Sequence, residues 1–524
     1  MKNSKHSTHR SVSPQTEITV SSFRSVKTQT EGLAKTLITI LIFTFTSCSD
    51  FLNEELQGTY SNATFYKTEA HALLAIAGVY NAASFVSTDN NLWVFGDVAS
   101  NDATKGGLAG DQSDIQFIDE FSYSRNNGAV EKIWKRYYEG ITRANYLLYY
   151  GPEISMDETV KAKILGEAKF LRAYFYFNLV NIFGEVPLKL EPPLNTEAIN
   201  QPKVSTAIVY AQIEKDLQEA EAVLEATYSG TDVGRASKGS ALGLLAKAFL
   251  YQEKFSDVLT TITDIDALGM YSLQPVYKNN FIDSTQNNSE SLFEIQHLST
   301  QLPKIGSHLN QYFSPSLYNG YYFNAPLQNF VDEFEVTAGS VADPRLDYTV
   351  GQAGQQWING ENFDPAWSAT GFLQKKHVQP KKEEPITGDA SLNYVYLRYA
   401  DILLMKAEAL NESNQPAQAL VPLNAVRARA RESYLYDVDL PGFGSVPLDL
   451  LPDIISSDQQ TVRDAIRHER RVELGFEFHR YFDVIRYGES TAEALLPTDF
   501  KFSDNNGRFL IPQSELDTNP AITN

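Results

Sequence analysis

The stretch HERRVELGFEFHRYFDVIRYGE, His468–Glu489, interleaves charge with apolar bulk at helical spacing. Together with Arg467 before it, Glu469, Arg470, Arg471, Glu473, Glu477, Arg480, Asp483 and Arg486 stand three and four residues from opposite charges, so pairing between neighbouring helical turns is expected. An arginine also forks two bonds to a carboxylate on another helix. The reading is architectural. These charges, with His468 and His479 among them, are expected to lock helices together rather than to perform chemistry.

Outward from this stretch the same period recurs. Between about Phe65 and Leu224, Ala72, Leu73, Ala75, Ile76, Val79 and Tyr80 form one apolar face, and Ile133, Trp134, Tyr137, Ile141, Tyr146 and Leu147 another. A third runs from Ile164 to Phe183 through Leu165, Ala168, Leu171, Phe175, Leu179 and Ile182, then meets Gly184 and Pro187, the usual stop chemistry. Two later segments share a finer pattern: Ala246, Phe249, Val258 and Ile262 match Ala407, Leu410, Ala419 and Leu423 in spacing. Small residues at a helix crossing with large ones around them resemble tetratricopeptide-like helix pairs. From about 270 to 395 the character changes to Gly, Asn, Pro and Gln with scattered aromatics, and Leu292–Ile295 reads as a strand. The expected fold is all-α: tetratricopeptide-like helix pairs forming a scaffold, with a loop-rich irregular insertion and a few short strands.

At the other end, the apolar run Leu37–Phe45 is too short to span a bilayer and stops at Ser47-Cys48, the only cysteine. Lys27 and Lys35 flank it, and Cys48-Ser49-Asp50 follows, resembling the lipobox of a bacterial lipoprotein signal. The expected division is a leader over 1–47, a lipidated tether over 48–62, a helical region over 63–269, a loop-rich ligand-facing insertion over 270–395 and a C-terminal helical region over 396–524. Removing a leader with six basic and two acidic residues takes the formal charge from −21 to −25. That balance argues against nucleic acid or anionic lipid headgroups as partners. A lone cysteine forms no internal disulfide, so stability must come from burial.

The His468–Glu489 block resembles the signature of the SusD/RagB family of Bacteroidetes surface lipoproteins. Other blocks agree in order: Asp97–Asp102, Phe170–Tyr174, Gly234–Gly239, Asp343-Pro344-Arg345, Leu397–Asp401, Ile511-Pro512-Gln513 and Asn519-Pro520. The resemblance implies an oligosaccharide- or polysaccharide-binding protein with no enzymatic activity, lipid-anchored and surface-exposed on the outer membrane. It further implies delivery to a SusC-like TonB-dependent transporter; a peptide-binding RagB-like uptake component and a protein-interaction scaffold are the alternatives. No cofactor and no metal ligand set is expected.

For binding, Asn101, Asp102, Lys105, Gly106, Gly107, Asp111, Gln112 and Asp114 form a polar, glycine-containing loop. Planar amides and carboxylates each grip adjacent sugar hydroxyls, and glycines allow close approach of a ligand. This loop carries no aromatic, so a stacking surface is expected from Tyr321, Tyr322, Trp357 and Trp367, or from Trp93. Arg235–Lys238 reads as a capped helix start in preference to an anion cradle. The sequence has no His-Glu-x-x-His helix, phosphate-binding glycine loop, Gly-x-Ser-x-Gly elbow or paired-cysteine metal site.

Overall fold

The computed structural model describes residues 65–358, 360–380 and 388–523; the leader, Cys48 and the tether lie outside the described residues. The main helices are α1 (Glu69–Ala83), α2 (Gly128–Tyr150), α3 (Glu158–Phe183), α4 (Thr206–Glu221), α5 (Lys238–Leu250), α6 (Phe255–Ala267), α7 (Tyr399–Glu412), α8 (Pro416–Tyr436), α9 (Gln459–Leu474) and α10 (Arg480–Arg486). Several of the long helices begin where a side chain satisfies orphan N–H groups. Asn127 caps α2 through Ala129 and Val130, Asp157 caps α3 through Thr159 and Val160, and Ser237 with Ser240 forms a capping box on α5. Helix α3 stops at Gly184, whose φ of 74° suits glycine.

The helices pack as antiparallel neighbours in chain order: α2 on α3, α3 on α4, α5 on α6 and α7 on α8. Gly140 lets α2 approach α3 closely, since a Cβ there would lie 2.4 Å from the Phe175 ring. Ala246, Ala407 and Ala419 are fully buried at the α5–α6 and α7–α8 crossings, with Val258, Ile262 and Leu423 around them. This is the interlock of tetratricopeptide-like pairs, and the mostly helical scaffold follows from it.

Not all of 65–224 is helical. Between α1 and α2 the chain makes a π-helical turn, Val94–Val98, then strand β1 (Ala103–Gly106) and a short helix, Ser113–Asp119. The 270–395 region is irregular, but closed at its neck. Strand β2 (Ser291–Ile295) pairs antiparallel with β4 (Tyr394–Arg398), while β3 (Phe323–Pro326) pairs with β1. The stretches expected as separate regions after the tether belong to one unit, Thr64–Asn524.

The charged signature works across elements more than along one helix, which corrects the expectation of pairing between neighbouring turns. Within the signature only Arg486–Asp483 is an i,i+3 pair; Arg470 reaches Asp401 of α7 at 2.7 Å, and Arg471 reaches Asp102 at 2.7 Å. At the centre, Arg398 of β4 donates to Glu290 (2.8 Å), Glu473 (2.6 Å) and Glu477 (2.8 Å), all fully buried. Arg345 from the irregular region joins through Asp343, Glu469 and Glu473, and Lys376 joins through Glu477. Burial opposes the charge on Glu477, yet Arg398 and Lys376 hold its carboxyl down to about 2. Such a network costs much to desolvate but fixes register, because removing one member strands the others.

Candidate binding surface

The β1–β3 pairing joins two stretches more than two hundred residues apart. Ala103 opposes Pro326 and Gly106 opposes Phe323, so the Asn101–Asp114 loop lies beside Tyr321 and Tyr322. The loop glycines serve this junction rather than a ligand. A Cβ on Gly106 would fall 2.3 Å from the Tyr322 carbonyl, and one on Gly107 would fall 2.4 Å from the Phe323 ring.

Several polar residues read as sugar ligands have structural partners. Asp102 is buried and accepts from Arg471 Nε. The Asn101 side-chain oxygen accepts from Arg480 Nε at 3.0 Å. Lys105 is buried, and its Nζ donates to the carbonyls of Leu108 (3.0 Å) and Asp111 (2.8 Å), pinning the loop from within. Burial pulls the Lys105 ammonium below its ordinary range, against Asp111 and Asp119. Asp111, Gln112 and Asp114 remain at the surface, Gln112 with a left-handed φ of 48°.

Beneath the loop sits Asp97, buried in the π-helical turn. Its Oδ1 accepts from Phe478 N–H (3.1 Å) and its Oδ2 from Asn324 Nδ2 (2.9 Å), so one carboxyl ties the C-terminal signature to β3. Gly96 makes this possible, because a Cβ would strike the Phe478 carbonyl at 2.3 Å. Burial pushes the Asp97 carboxyl up to about 8, Asn324 opposing and Asp102 adding to the shift.

The aromatics divide into faces and backing. Tyr321 is 43% exposed, with its ring stacked 6.3 Å from Tyr312 and tilted 5.8 Å from Phe323. His308 continues the row, 6.0 Å from Tyr312. Trp93 is buried behind them, 5.9 Å from Tyr312 and 6.0 Å from Phe323, and offers no face to solvent. Trp357 is likewise buried; it backs Trp367, which is half-buried beside Phe363 (5.2 Å) and Tyr318 (6.0 Å). The correction for Trp93 and Trp357 is physical: large rings this deep gain more from packing than a reversible ligand supplies. Tyr322 is half-buried against the core.

The turn that presents these rings is held hard. Tyr321 N–H donates to the Gln311 carbonyl (2.9 Å) and Tyr322 N–H to the Ser314 carbonyl (3.0 Å). Tyr322 and Asn324 adopt left-handed φ values of 44° and 55°, a conformation costing about 1 kcal/mol or more that persists only where surroundings enforce it. The same turn sends Tyr318 toward Trp367 and Tyr321 toward Tyr312. Sequence reading missed His308, Gln311 and Tyr312; the four-residue spacing of His308 and Tyr312 was the available signal.

A helical-repeat scaffold carrying a preorganised, partly exposed aromatic surface beside a polar loop is an arrangement suited to holding a ligand. Comparison with known proteins agrees. A profile described as the SusD family matches residues 289–521, and one described as starch-binding associating with outer membrane matches residues 50–250. The chain belongs to the SusD family. A solved laminarin-binding SusD-like protein is 30% identical, with 87% of this chain and 99% of that one covered at a TM-score of 0.70. A SusD-like protein of Formosa agariphila is 27% identical over 86% of this chain and 90% of its own length. Surface glycan-binding protein A of Bacteroides thetaiotaomicron, solved with laminarihexaose, shares the fold at 20% identity, covering 86% of this chain and 98% of that one at a TM-score of 0.70.

Proposed function

We propose that this chain is a non-catalytic glycan-binding lipoprotein of the cell surface, anchored through Cys48, which captures oligosaccharide and delivers it to a SusC-like TonB-dependent outer-membrane transporter. The observation that carries the reading is Tyr321, a ring with an open face stacked on Tyr312 in a turn whose backbone is pinned on both sides. An aromatic face attracts the apolar side of a pyranose, and Asp111, Gln112 and Asp114 on the adjoining loop supply acceptors and donors for hydroxyls. Trp367 provides a second, partly covered ring. Shallow stacking with few polar contacts suits capture followed by release. The transporter partner and the anchor rest on family membership and on the lipobox-like start.

Isothermal titration of the purified chain against a panel of polysaccharides and their oligomers tests the reading, with laminarin and laminarihexaose first because a 30%-identical relative is named for laminarin. Saturable binding without product release on prolonged incubation is the expected result. Silence across the panel with binding of peptides instead would transfer the chain to the RagB-like branch, and release of shorter sugars would make it a hydrolase.

A further inference from the structure

Among the described residues every arginine forms an ion pair with a carboxylate within 4 Å except Arg125, Arg467 and Arg508. All three line two clefts that share Arg508 as a common wall, one of about 410 Å³ and the other of about 580 Å³. In a chain of net charge −21 the three guanidiniums without a close ion pair gather on these two clefts, with Glu412 a more distant counter-charge to Arg467.

The first cleft lies between α5, α7, α9 and the end of α10. Its Glu408 and Glu412 are already engaged by two-pronged pairs from Arg486 and Arg463. Arg467 instead lies 4.1 Å over the Tyr487 ring, and the Tyr487 hydroxyl is buried with no hydrogen-bond partner. Glu253 is the one lining carboxylate without a cation. In the second cleft Glu185 pairs with Lys203 at 3.7 Å, and Arg125 donates to the Ile511 carbonyl. The remaining walls there carry neutral hydroxyls and amides: Ser205, Thr206, Asn505, Asn506 and Thr523.

We infer that these adjoining clefts bind an anionic saccharide, with Arg467 and Arg508 gripping its carboxylate or sulfate ester and the neutral polar wall meeting its hydroxyls. A guanidinium fork matches the planar geometry of a carboxylate and the oxygens of a sulfate. Each volume lies within the range of small-ligand sites, suiting one or two sugar rings. The wall of hydroxyls and amides favours a sugar over an acidic peptide, whose backbone asks for extended pairing along an edge. The inference deepens the glycan-binding proposal but uses residues separate from the Tyr321 surface, so the two fail independently.

The test is titration of the full chain with trigalacturonate, its neutral methyl ester, a sulfated disaccharide and hexaglutamate, in the wild type and in Arg467→Gln/Arg508→Gln. Trigalacturonate or the sulfated disaccharide should bind in a salt-sensitive manner, the methyl ester should bind at least tenfold more weakly, and the double substitution should weaken the anion at least tenfold. Unchanged laminarihexaose binding and melting of that variant would show the fold and the Tyr321 surface intact, while Tyr321→Ala should leave the anion unaffected. Equal binding of acid and ester, no binding of either anionic sugar, an unaffected double variant, or tighter binding of hexaglutamate than of the sugars would each overturn the assignment.

Discussion

Replacing Asp97 by Asn should make the protein less sensitive to alkaline pH. In the native state burial holds this carboxyl up to about 8, against an ordinary value of 3.8. Between those values the folded chain keeps a proton that the unfolded chain has lost, so stability falls as pH rises. The contribution is fully present below about 4 and lost as pH climbs through about 8. Integrated from pH 6 to pH 8, a single such group removes about 2 kcal/mol. Asparagine retains the oxygen that accepts Phe478 N–H and does not titrate. The neighbourhood also suits a protonated acid: Asn324 Oδ1 is buried without a partner, and turning that amide would let it accept the Asp97 proton. Urea unfolding followed by tryptophan fluorescence at pH 6 and pH 8 measures the difference. The wild type should lose about 2 kcal/mol more than Asp97→Asn over this interval. Parallel losses in both proteins would refute the reasoning, because they would mean that Asp97 is ionised in the fold throughout.

Tyr321→Ala should weaken oligosaccharide binding by up to roughly 30-fold: a ring 43% exposed offers about 90 Å² to cover, and at about 25 cal/mol per Å² that is a ceiling near 2 kcal/mol, read by titration. Lys105→Met should lower stability by about 2 kcal/mol through loss of charge-assisted bonds to Leu108 and Asp111, with faster limited proteolysis within 106–112 as its direct readout. Arg398→Met should cost about 3–5 kcal/mol in denaturant unfolding, since Glu290, Glu473 and Glu477 would stay buried with a cation removed. Cys48→Ala should shift the protein from the membrane to the soluble fraction and abolish lipid labelling; unchanged fractionation would dismiss the anchor.

The helical scaffold was legible because its determinants are local: stop signals such as Gly184, caps such as Ser237, and alanines at fixed spacing from bulky partners. Leu292–Ile295 was legible as a strand for the same reason. The binding surface was less so, because exposure is a tertiary property. Nothing local distinguishes Trp93 and Trp357, buried as backing, from Tyr321, whose face is open. Nor does local sequence reveal that Gly106 and Gly107 accommodate Tyr322 and Phe323, or that Asp102 is claimed by an arginine 369 residues away. The charges of His468–Glu489 were correctly assigned to architecture, but their partners came from other elements, which spacing within one helix does not foretell.

Because β2 and β4 lie hydrogen-bonded side by side, the span between them has both its ends at one doorway, with β3 paired to β1 as a second fastening. Loop-closure entropy grows only slowly with length, so the exposed loops within that span tolerate lengthening or trimming with little thermodynamic consequence for the helices. A cartridge transplanted from a relative would bring a new recognition surface on an unchanged chassis only if it refilled what this span buries, Phe313 and Phe323 against Trp93 and Phe330 against Phe476. It must also carry equivalents of Arg345, which Asp343 holds and which reaches Glu469 and Glu473, and of Lys376, which reaches Glu477; these cations are the bolts of the mounting.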